Sequence, residues 1–471
     1  MTFCQKPSKR QKTLSFAKGI IFQNRLTGTR FFQTIMLNNL EKTFLAIIVS
    51  ASVFSSVFED ELQHRLSVFL LLRYEIRGYI MKNVLLYYSF SFALGGGDYL
   101  PLIFIQTLQK ISNLTVAVDL ACNIEHTAKT FDIGIDMSRL KVVQVTPPDY
   151  NPKKHTVFLS FYRFRQLKRL ARNADVCIST ASIMDFGMPS HQFINMLAFG
   201  DDDFTAYVQN PVAPARPGMK ARIKRFLSDS ILRPLLGMRS KRSIICDPRE
   251  HIYPNSIFVE NFMKSFYGPF NSTVFYPPTL LEPLSDATVE RDQLKVVYIG
   301  RIIPEKRIED LIGIVEKTRA ITGLDVRFHV AGRLDQTPSY GQKLSKMAQE
   351  REWLKFTGAL YGDEKTRFLQ SGSYAIHAER LEAFGISVVE YLQSGNITIV
   401  PDEGGTPEIV DSPALAYHTD DEAARILARL LTDAEFRGQQ RTHCAERAKV
   451  FSREAYLKRQ DELLERILQM S

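Results

Sequence analysis

The stretch EAFGISVVEYLQSGNITIVPDEGGTPEIV, residues 382–410, decides the fold of this 471-residue chain. After Gly385 the apolar residues recur at helical spacing, and this helix is predicted to end at Gly395. A short β-rich run follows at 397–400, and a glycine-containing loop comes next. This order of loop, helix, strand and loop is typical of α/β proteins with parallel sheets.

Two carboxylates frame the start of the predicted helix. Glu382 precedes it on a loop at the mouth of a site, and Glu390 points into the site from its first turns. The helix N-terminus offers free backbone N–H groups, which are a natural seat for a phosphate. A diphosphate flanked by carboxylates that bind sugar hydroxyls indicates a nucleotide-sugar. The alternatives are an exposed acid beside a helix-dipole partner, and the acid and nucleophile of a hydrolase.

Outward from this stretch, β-rich runs alternate with helical runs, which predicts two Rossmann-like domains facing across a cleft. The predicted domains are an N-terminal extension (1–80), an acceptor-side domain (81–280), a Pro-rich linker (281–293) and a nucleotide-sugar-binding domain (294–452). The final helix, 453–470, is expected to cross back to the first domain. The predicted strands are 84–90, 114–120, 142–146, 176–180, 193–197, 243–246 and 274–276, then 295–300, 326–332, 354–358, 374–378, 397–400 and 415–418.

The N-terminal extension is the least readable part of the chain. Residues 44–58 form a run of fifteen uncharged residues, short of the ~20 that a membrane-spanning helix needs. A second apolar run follows at 66–72. The alternatives for this extension are a dispensable leader, a membrane anchor and a start assigned too far upstream.

Charge and cysteine content exclude several classes of protein. The net charge is +9, but residues 1–80 hold eleven Lys and Arg against five Asp and Glu, so the rest of the chain carries only +3. Nucleic acid is therefore not an expected partner. The five cysteines are scattered and lack C-x-x-C spacing, which argues against a disulfide framework or a zinc site and favours the cytoplasm.

A second motif follows the first strand of the second domain. In GRIIPEK, residues 300–306, Arg301 and Lys306 lie five residues apart around a turn. Arg offers a planar fork of donors and Lys a mobile charge, so both can face one phosphate group in the cleft. Taken alone, the pair also fits two solvated surface cations. Together with the Glu382–Glu390 segment, it favours a phosphate site.

These motifs resemble a known family. GR-x-x-P-E-K at 300–306, E-x-F-G…E at 382–390 and GG-x-P-E at 404–408 resemble the retaining glycosyltransferases of family 4, which have the GT-B fold. Phe451-Ser452-Arg453 resembles the segment before their last helix. The resemblance is specific over 294–455 and looser over 81–280, and it is greatest to mannosyltransferases that extend dolichol-linked oligosaccharides.

The resemblance implies a donor site in the second domain. Arg301 and Lys306 would bind the donor diphosphate and neutralise the departing charge. Glu382 would hydrogen-bond the transferred sugar, and Glu390 the ribose hydroxyls. Backbone N–H groups would assist Glu382; they belong to Phe384, Gly385, Ile386 and Ser387. No cofactor is implied, because the nucleotide-diphosphate sugar is itself the substrate.

Three further regions complete the implied site. Gly332-Arg333 and Thr357-Gly358 would line the base. In the first domain, the triple glycine that contains Gly96 and Gly97 stands where the family has a loop approaching the donor phosphates, although such a triplet is more often a flexible turn. No Asp-x-Asp metal motif accompanies the phosphate loop, so no metal is expected, and Arg301 and Lys306 would replace it.

The acceptor side departs from the family pattern. Many relatives place a His at the end of a first-domain strand, and here the best alignment puts Asn195 there, with His191 four residues earlier. Either His191 substitutes or Asn195 only hydrogen-bonds, and His191 is expected to be a core or loop histidine. Two competing functions stay open. One is a nucleotide-sugar epimerase or hydrolase, and the other is a non-catalytic donor-binding subunit of a glycosylation complex.

Two segments of the first domain mix aromatic and basic residues. Residues 157–172 alternate Phe with Arg and Lys, and residues 216–242 contain nine Lys and Arg against one Asp. Such helices suit docking on anionic lipid headgroups, although an amphipathic helix packed on the sheet fits equally. The expected partners are thus a nucleotide-sugar donor, a glycan or lipid-linked acceptor and an anionic membrane surface. The expected location is the cytoplasm, either peripheral to or anchored at the cytoplasmic face of a membrane.

Overall fold

The computed structural model describes residues 81–88, 96–119, 124–147, 157–180, 182–195, 219, 223, 226–279, 281, 290–333 and 338–470. The predicted extension, 1–80, lies outside these residues, and so does 282–289 of the predicted linker. The domain boundaries therefore stay predictions. Asn83–Ser471 form one compact unit, to which everything below refers.

The first half of this unit contains a parallel six-stranded sheet. Its strands are β1 (Asn83–Tyr88), β2 (Asn113–Val118), β3 (Leu140–Gln144), β4 (Val176–Ser179), β5 (His191–Ile194) and β6 (His251–Pro254). Its helices are α1 (Gly96–Ile111), α2 (Ile124–Thr130), α3 (Val157–Ala171), α4 (Arg233–Leu235), α5 (Lys241–Ile245) and α6 (Ile257–Tyr267), with a π-helical turn at Ser228–Leu232 before α4. The strands lie in the order β3-β2-β1-β4-β5-β6.

The second half repeats this arrangement. Its strands are β7 (Asp292–Ile299), β8 (Arg327–Ala331), β9 (Leu354–Gly358), β10 (Gly372–Ile376), β11 (Ile397–Pro401) and β12 (Ala416–Tyr417). Its helices are α7 (Ile308–Thr322), α8 (Pro338–Gln349), α9 (Gly362–Ser371), α10 (Ile386–Gln393), α11 (Thr406–Val410), α12 (Asp420–Thr432), α13 (Ala434–Val450) and α14 (Arg453–Gln469). The strand order β12-β11-β10-β7-β8-β9 is the same doubly wound order as in the first sheet.

Two parallel sheets with this order confirm the predicted pair of Rossmann-like domains. The order reverses between β1 and β4 in the first sheet and between β7 and β10 in the second. Ligands of doubly wound sheets bind beyond the carboxyl ends of the strands at such a reversal. The loops after β7 and β10 are therefore the first place to look for a site in the second domain.

Two strand predictions in the first domain are wrong. Residues 243–246 lie mostly in the short helix α5, because Ser240 caps it and its two isoleucines bury themselves in the core. Residues 274–276 form an extended segment beside β6, joined to it by backbone bonds such as Phe275 N–H to Pro254 O (2.9 Å), but not a regular strand. The strand that was missed is β6. It is the edge strand of the sheet and ends on a proline, a residue tolerated at an edge.

The last helix returns to the first domain, as predicted. Tyr456, Leu464 and Ile467 of α14 are buried in the same apolar cluster as β1 and α1. Gln460 Nε2 donates a hydrogen bond to Thr107 Oγ1 on α1, at 2.8 Å. The two domains therefore share one helix.

Candidate functional site

The charged centre of the second domain lies at the reversal of strand order. Lys306 ends the 3₁₀ turn Pro304–Lys306 after β7, and Glu379 and Glu382 lie on the loop after β10. Because β7 and β10 are hydrogen-bonded neighbours, these two loops meet. The Lys306 Nζ atom forms ion pairs with both carboxylates. The structure thus brings together the predicted Lys306 and Glu382, and it adds Glu379, which the sequence analysis missed.

The electrostatics of this cluster hold Lys306 and Glu382 charged. Burial opposes ionisation of both groups. Even so, the two carboxylates raise the pKa of Lys306, and His377 and Lys306 lower the pKa of Glu382. His377 Nε2 lies 3.6 Å from the Glu382 carboxylate, and burial lowers the pKa of this histidine, so it is neutral at pH 7. Glu382 is thus an ionised acceptor suited to hydroxyl groups.

Glycines fix the loop that carries Glu382. Gly385 is the N-cap residue of α10, and its φ of +105° is a conformation that L side chains rarely adopt. A Cβ on Gly404 would lie 2.5 Å from Arg380 O, and one on Gly405 would lie 2.4 Å from Ala383 O. The Gly405 N–H donates to Glu382 O, at 2.8 Å. The glycine pair is therefore required because two loops pack backbone against backbone.

The N-terminus of α10 stands beside this loop. Ile386 and Ser387 are its first two residues, and α-helix geometry gives their N–H groups no acceptor within the helix. Phe384 is 2% exposed and its ring contacts Tyr276 and Phe451. The Phe384 side chain is therefore structural, and the binding role of the four backbone N–H groups stays a prediction.

Glu390 lies further along α10 and is 4% exposed. Its Oε1 atom forms a 2.5 Å ion pair with Lys365 Nζ on α9. The predicted contact of Glu390 with ribose is untested. Lys365 was missed because it occurs in a polar, helix-forming stretch with no distinguishing pattern.

Arg301 and Gly332 lie at the carboxyl ends of β7 and β8. Arg301 is exposed, in the loop that also carries Lys306. A Cβ on Gly332 would lie 1.8 Å from Gly300 O, and the Gly332 N–H donates to Gly358 O at 2.8 Å. The carboxyl ends of β7, β8 and β9 thus lie side by side, and glycine backbone forms the contacts between them. Contact of Arg301 with a diphosphate and of Gly332 with a base stay predictions.

The two candidate residues of the acceptor side, Asn195 and His191, lie at opposite ends of β5. Asn195 follows the last residue of this strand, and its Nδ2 donates to Thr180 O, at 2.7 Å. Asn255 Nδ2 in turn donates to Asn195 O, at 3.0 Å. Thr180 and Asn255 were missed, because each is a single polar residue after a strand.

His191 is the first residue of β5, so it lies at the opposite end from Asn195. Its Nδ1 lies 3.0 Å from the Tyr253 hydroxyl, and its ring stacks on His251. Burial lowers the pKa of His191 to about 3. His191 is thus a core histidine, as expected. Gly96 and Gly97 form the first turn of α1, so the predicted glycine loop continues into a helix.

Glu408, the last residue of GG-x-P-E, connects the two domains. Its carboxylate accepts hydrogen bonds from the N–H groups of Ile257 (2.9 Å) and Phe258 (3.3 Å), the first two residues of α6. Ser256 Oγ donates to Ala383 O beside Glu382, at 2.6 Å. The GG-x-P-E motif can be recognised in the sequence, but the sequence does not indicate that its glutamate contacts α6 of the other domain.

Two groups of possible metal ligands occur among the described residues. His377, Glu379 and Glu382 have ligand atoms within 4.8 Å of one another. Lys306 already supplies a cation between these two carboxylates. The second group is exposed and consists of Asp402, Glu403 and His418. Acidic groups of this kind are common without an ion, and neither group is assigned to a metal.

The two-domain fold and a segment of the second domain resemble those of known proteins. Two facing doubly wound domains that share a C-terminal helix form the GT-B fold of glycosyltransferases. A glycosyltransferase from Rickettsia africae has this fold, with a TM-score of 0.56 at 11% identity over 83% of this chain and 100% of that one. Residues 285–451 match the family model for glycosyl transferases group 1.

Curated relatives resemble this chain over part of its length. One is the GDP-Man:Man(3)GlcNAc(2)-PP-Dol alpha-1,2-mannosyltransferase of Candida glabrata, 27% identical over 32% of this chain and 32% of the relative. Another is the phosphatidylinositol N-acetylglucosaminyltransferase GPI3 subunit of Saccharomyces cerevisiae, 27% identical over 27% of this chain and 28% of the relative. The matches thus span about a third of the length of these proteins or less.

Within the part of the chain that the structure describes, no helix has the length and apolar character needed to cross a bilayer.

Proposed function

We propose that this protein is a retaining glycosyltransferase that moves a hexose from a nucleotide-diphosphate sugar to a hydroxyl group of a lipid-linked or glycan acceptor. The observation that carries the proposal is the ion pair of Lys306 with Glu382 beside the N-terminus of α10. This cluster offers a cation for a diphosphate, a carboxylate for sugar hydroxyls and helix N–H groups for a phosphate. It lies in the segment that matches the family model for glycosyl transferases group 1.

In the proposed reaction, the glycosidic C–O bond to the diphosphate breaks while the acceptor oxygen attacks from the same face. Lys306 and Arg301 neutralise the charge that develops on the leaving diphosphate. An oxygen of that diphosphate accepts the proton of the acceptor hydroxyl, so neither a protein base nor a metal ion is needed. Glu382 holds the transferred sugar, and Glu390 the ribose.

The pairing of Glu382 with Lys306 argues against the hydrolase alternative. A retaining hydrolase needs one carboxylate free to attack the sugar and a second carboxylic acid about 5–5.5 Å away. Glu382 is held by an ammonium group, and Glu390 is ion-paired to Lys365. Neither of these carboxylates is therefore free to attack a sugar, which favours the proposed role of holding hydroxyl groups.

Mannose from GDP-mannose is the proposed donor sugar, supported by the name of the relative from Candida glabrata. A thermal-shift panel of GDP, UDP, GDP-mannose and UDP-N-acetylglucosamine tests it. Stabilisation by GDP and GDP-mannose is expected, and stabilisation by the uridine compounds alone would replace mannose by another sugar. If no nucleotide in the panel binds, the whole proposal is wrong. If the protein instead releases free sugar or an epimer when no acceptor is present, a nucleotide-sugar hydrolase or epimerase is favoured.

The acceptor is proposed to be lipid-linked, at the cytoplasmic face of a membrane. Phe164 and Leu167 of α3 are buried, so half of that helix packs on the sheet, but Phe158 is 69% exposed. A second apolar set is also exposed: Met219, Ile223, Phe226, Leu227, Ile231 and Leu235. It lies within 216–242, a segment whose sequence has nine Lys and Arg and one Asp. Exposed apolar side chains among cations match an anionic bilayer surface.

Vesicle flotation of the full chain tests this surface. Binding to vesicles of phosphatidylcholine with phosphatidylserine is expected, with weaker binding to phosphatidylcholine alone. The double variant Phe226→Ser with Leu235→Ser should lose binding, and Ile321→Ser, another exposed apolar position, should keep it. If wild type floats with neither vesicle, the membrane contact is wrong.

A further inference from the structure

Glu379 is a carboxylate at the donor site that the proposed mechanism does not use. It lies three residues before Glu382, and its Oε2 atom pairs with the same Lys306 Nζ atom. Its side chain is 24% exposed, so it can exchange protons with solvent. Lys306 is thus shared between a sugar-binding carboxylate and a second carboxylate with no assigned task.

The groups around Glu379 leave it with an excess of negative charge. The groups that face it are Lys306, Glu382, His377 and Tyr298. Burial keeps His377 neutral and raises the pKa of the Tyr298 hydroxyl well above its ordinary value. One ammonium therefore serves two carboxylates. Burial first, and then the charge of Glu382, raise the pKa of Glu379 to about 7.

Two arginines near this loop do not balance the excess negative charge at Glu379. Arg301 is exposed, so solvent screens its charge. Arg380, the neighbour of Glu379 in sequence, lies 3.9 Å from Asp402 and 3.6 Å from Glu403. The charge balance at Glu379 therefore depends on Lys306.

We propose that Glu379 is a further positioning residue of the donor site, which binds Lys306 and takes up one proton from solvent when Lys306 contacts the donor diphosphate. The inference rests on the proposed function. A diphosphate adds negative charge beside a partly buried carboxylate and takes over its counter-ion, and both effects favour the protonated carboxyl. The proton returns to solvent when the nucleoside diphosphate leaves, so protons balance over one turnover.

The sign of the resulting pH dependence follows from linkage. Donor binds best when Glu379 is protonated, so affinity is highest below pH 7 and falls as pH rises through the pKa of the free protein. It levels off above the higher pKa of the complex. A pKa difference of one unit between the two states corresponds to a tenfold change in the dissociation constant.

Isothermal titration calorimetry with GDP-mannose and with UDP-N-acetylglucosamine tests this coupling. Both diphosphates are esterified at each end, so neither probe gains or loses a phosphate proton over the range studied. Titrations at about pH 6, 7 and 8, in buffers with different ionisation enthalpies, give the dissociation constant and the number of protons bound. For wild type we expect uptake of up to about half a proton at pH 7, and binding about fivefold to tenfold weaker at pH 8 than at pH 6.

Glu379→Gln keeps the shape of the side chain and removes the titration. Its proton uptake should vanish, and its affinity should become independent of pH. Glu305→Gln, at an exposed carboxylate one residue from Lys306, is the matched control and should behave as wild type. A structural ion pair alone would change thermal stability but not the proton count.

The possible outcomes separate the two proposals. If neither nucleotide-sugar binds at any pH, the proposed function is wrong. If one binds but wild type takes up no proton, or if Glu379→Gln keeps the wild-type pH dependence, the role of Glu379 is wrong and the proposed function stands.

Discussion

Replacing Lys306 is the strongest single perturbation of the site. Lys306→Ala removes the cation that pairs with Glu379 and Glu382. Loss of one preorganised donor to a developing charge typically costs about 10²–10³ in rate, or about 2.7–4 kcal/mol. We expect a loss of this size in kcat for transfer from the donor that the binding panel identifies.

The same change should reduce stability less than it reduces rate. The Lys306 side chain is 15% exposed and those of its partners 24% and 20%. Breaking a fully buried pair costs about 3–5 kcal/mol. Partial exposure, together with protonation of one freed carboxylate, reduces this to about 1–3 kcal/mol.

Steady-state kinetics and thermal unfolding of the same samples separate these effects. Lys306→Met, which keeps most of the side-chain volume, should lose as much activity as Lys306→Ala. Lys317→Ala is the control, because its pair with Asp421 is at least half exposed, and it should leave both the unfolding midpoint and turnover close to wild type. Turnover within a few-fold of wild type in both Lys306 variants would refute the assignment of a phosphate-binding cation.

Three further predictions follow from single contacts. Arg301→Ala should reduce kcat/KM by about 10²–10³ with thermal stability unchanged, since Arg301 is exposed; a large fall in stability would contradict this. Gly332→Ala should lower the free energy of unfolding by about 1–3 kcal/mol or more, because its Cβ would lie 1.8 Å from Gly300 O. The control is Gly313→Ala in α7, where a Cβ would meet open space. In denaturant titrations this variant should be as stable as wild type or more stable. Glu408→Ala should lower the free energy of unfolding by about 1–3 kcal/mol, since two N–H groups lose their acceptor, and an unchanged denaturation midpoint would show that this contact contributes little.

Most of the parallel strands, though not β6, could be predicted because buried strands are continuous apolar runs between helices. The meeting of Lys306 with Glu382 could also be expected, since both follow strands that a doubly wound sheet places side by side. The short helix α5 could not be predicted, because its Ser-Ile-Ile sequence has strand propensity and its helical state depends on the Ser240 cap and on core packing.

Two other contacts between separate parts of the chain could not be predicted from one sequence. Glu379 was missed, since nothing around it in the sequence indicates that it shares the ammonium group of Lys306. The pairing of Lys365 with Glu390 depends on how α9 packs beside α10. Both contacts are set by tertiary packing, which leaves no periodic signal in either segment.

Contacts of Glu408 and Ser256 connect the loop that carries Glu382 to the other domain. Ser256, on the first domain, donates to Ala383 O, next to Glu382 in sequence. Glu408 accepts from the first N–H groups of α6 in the same domain. Any rotation of one domain against the other must break these hydrogen bonds or carry the Glu382 loop with it. The position of the Glu382 carboxylate and the orientation of the two domains are therefore coupled through one loop.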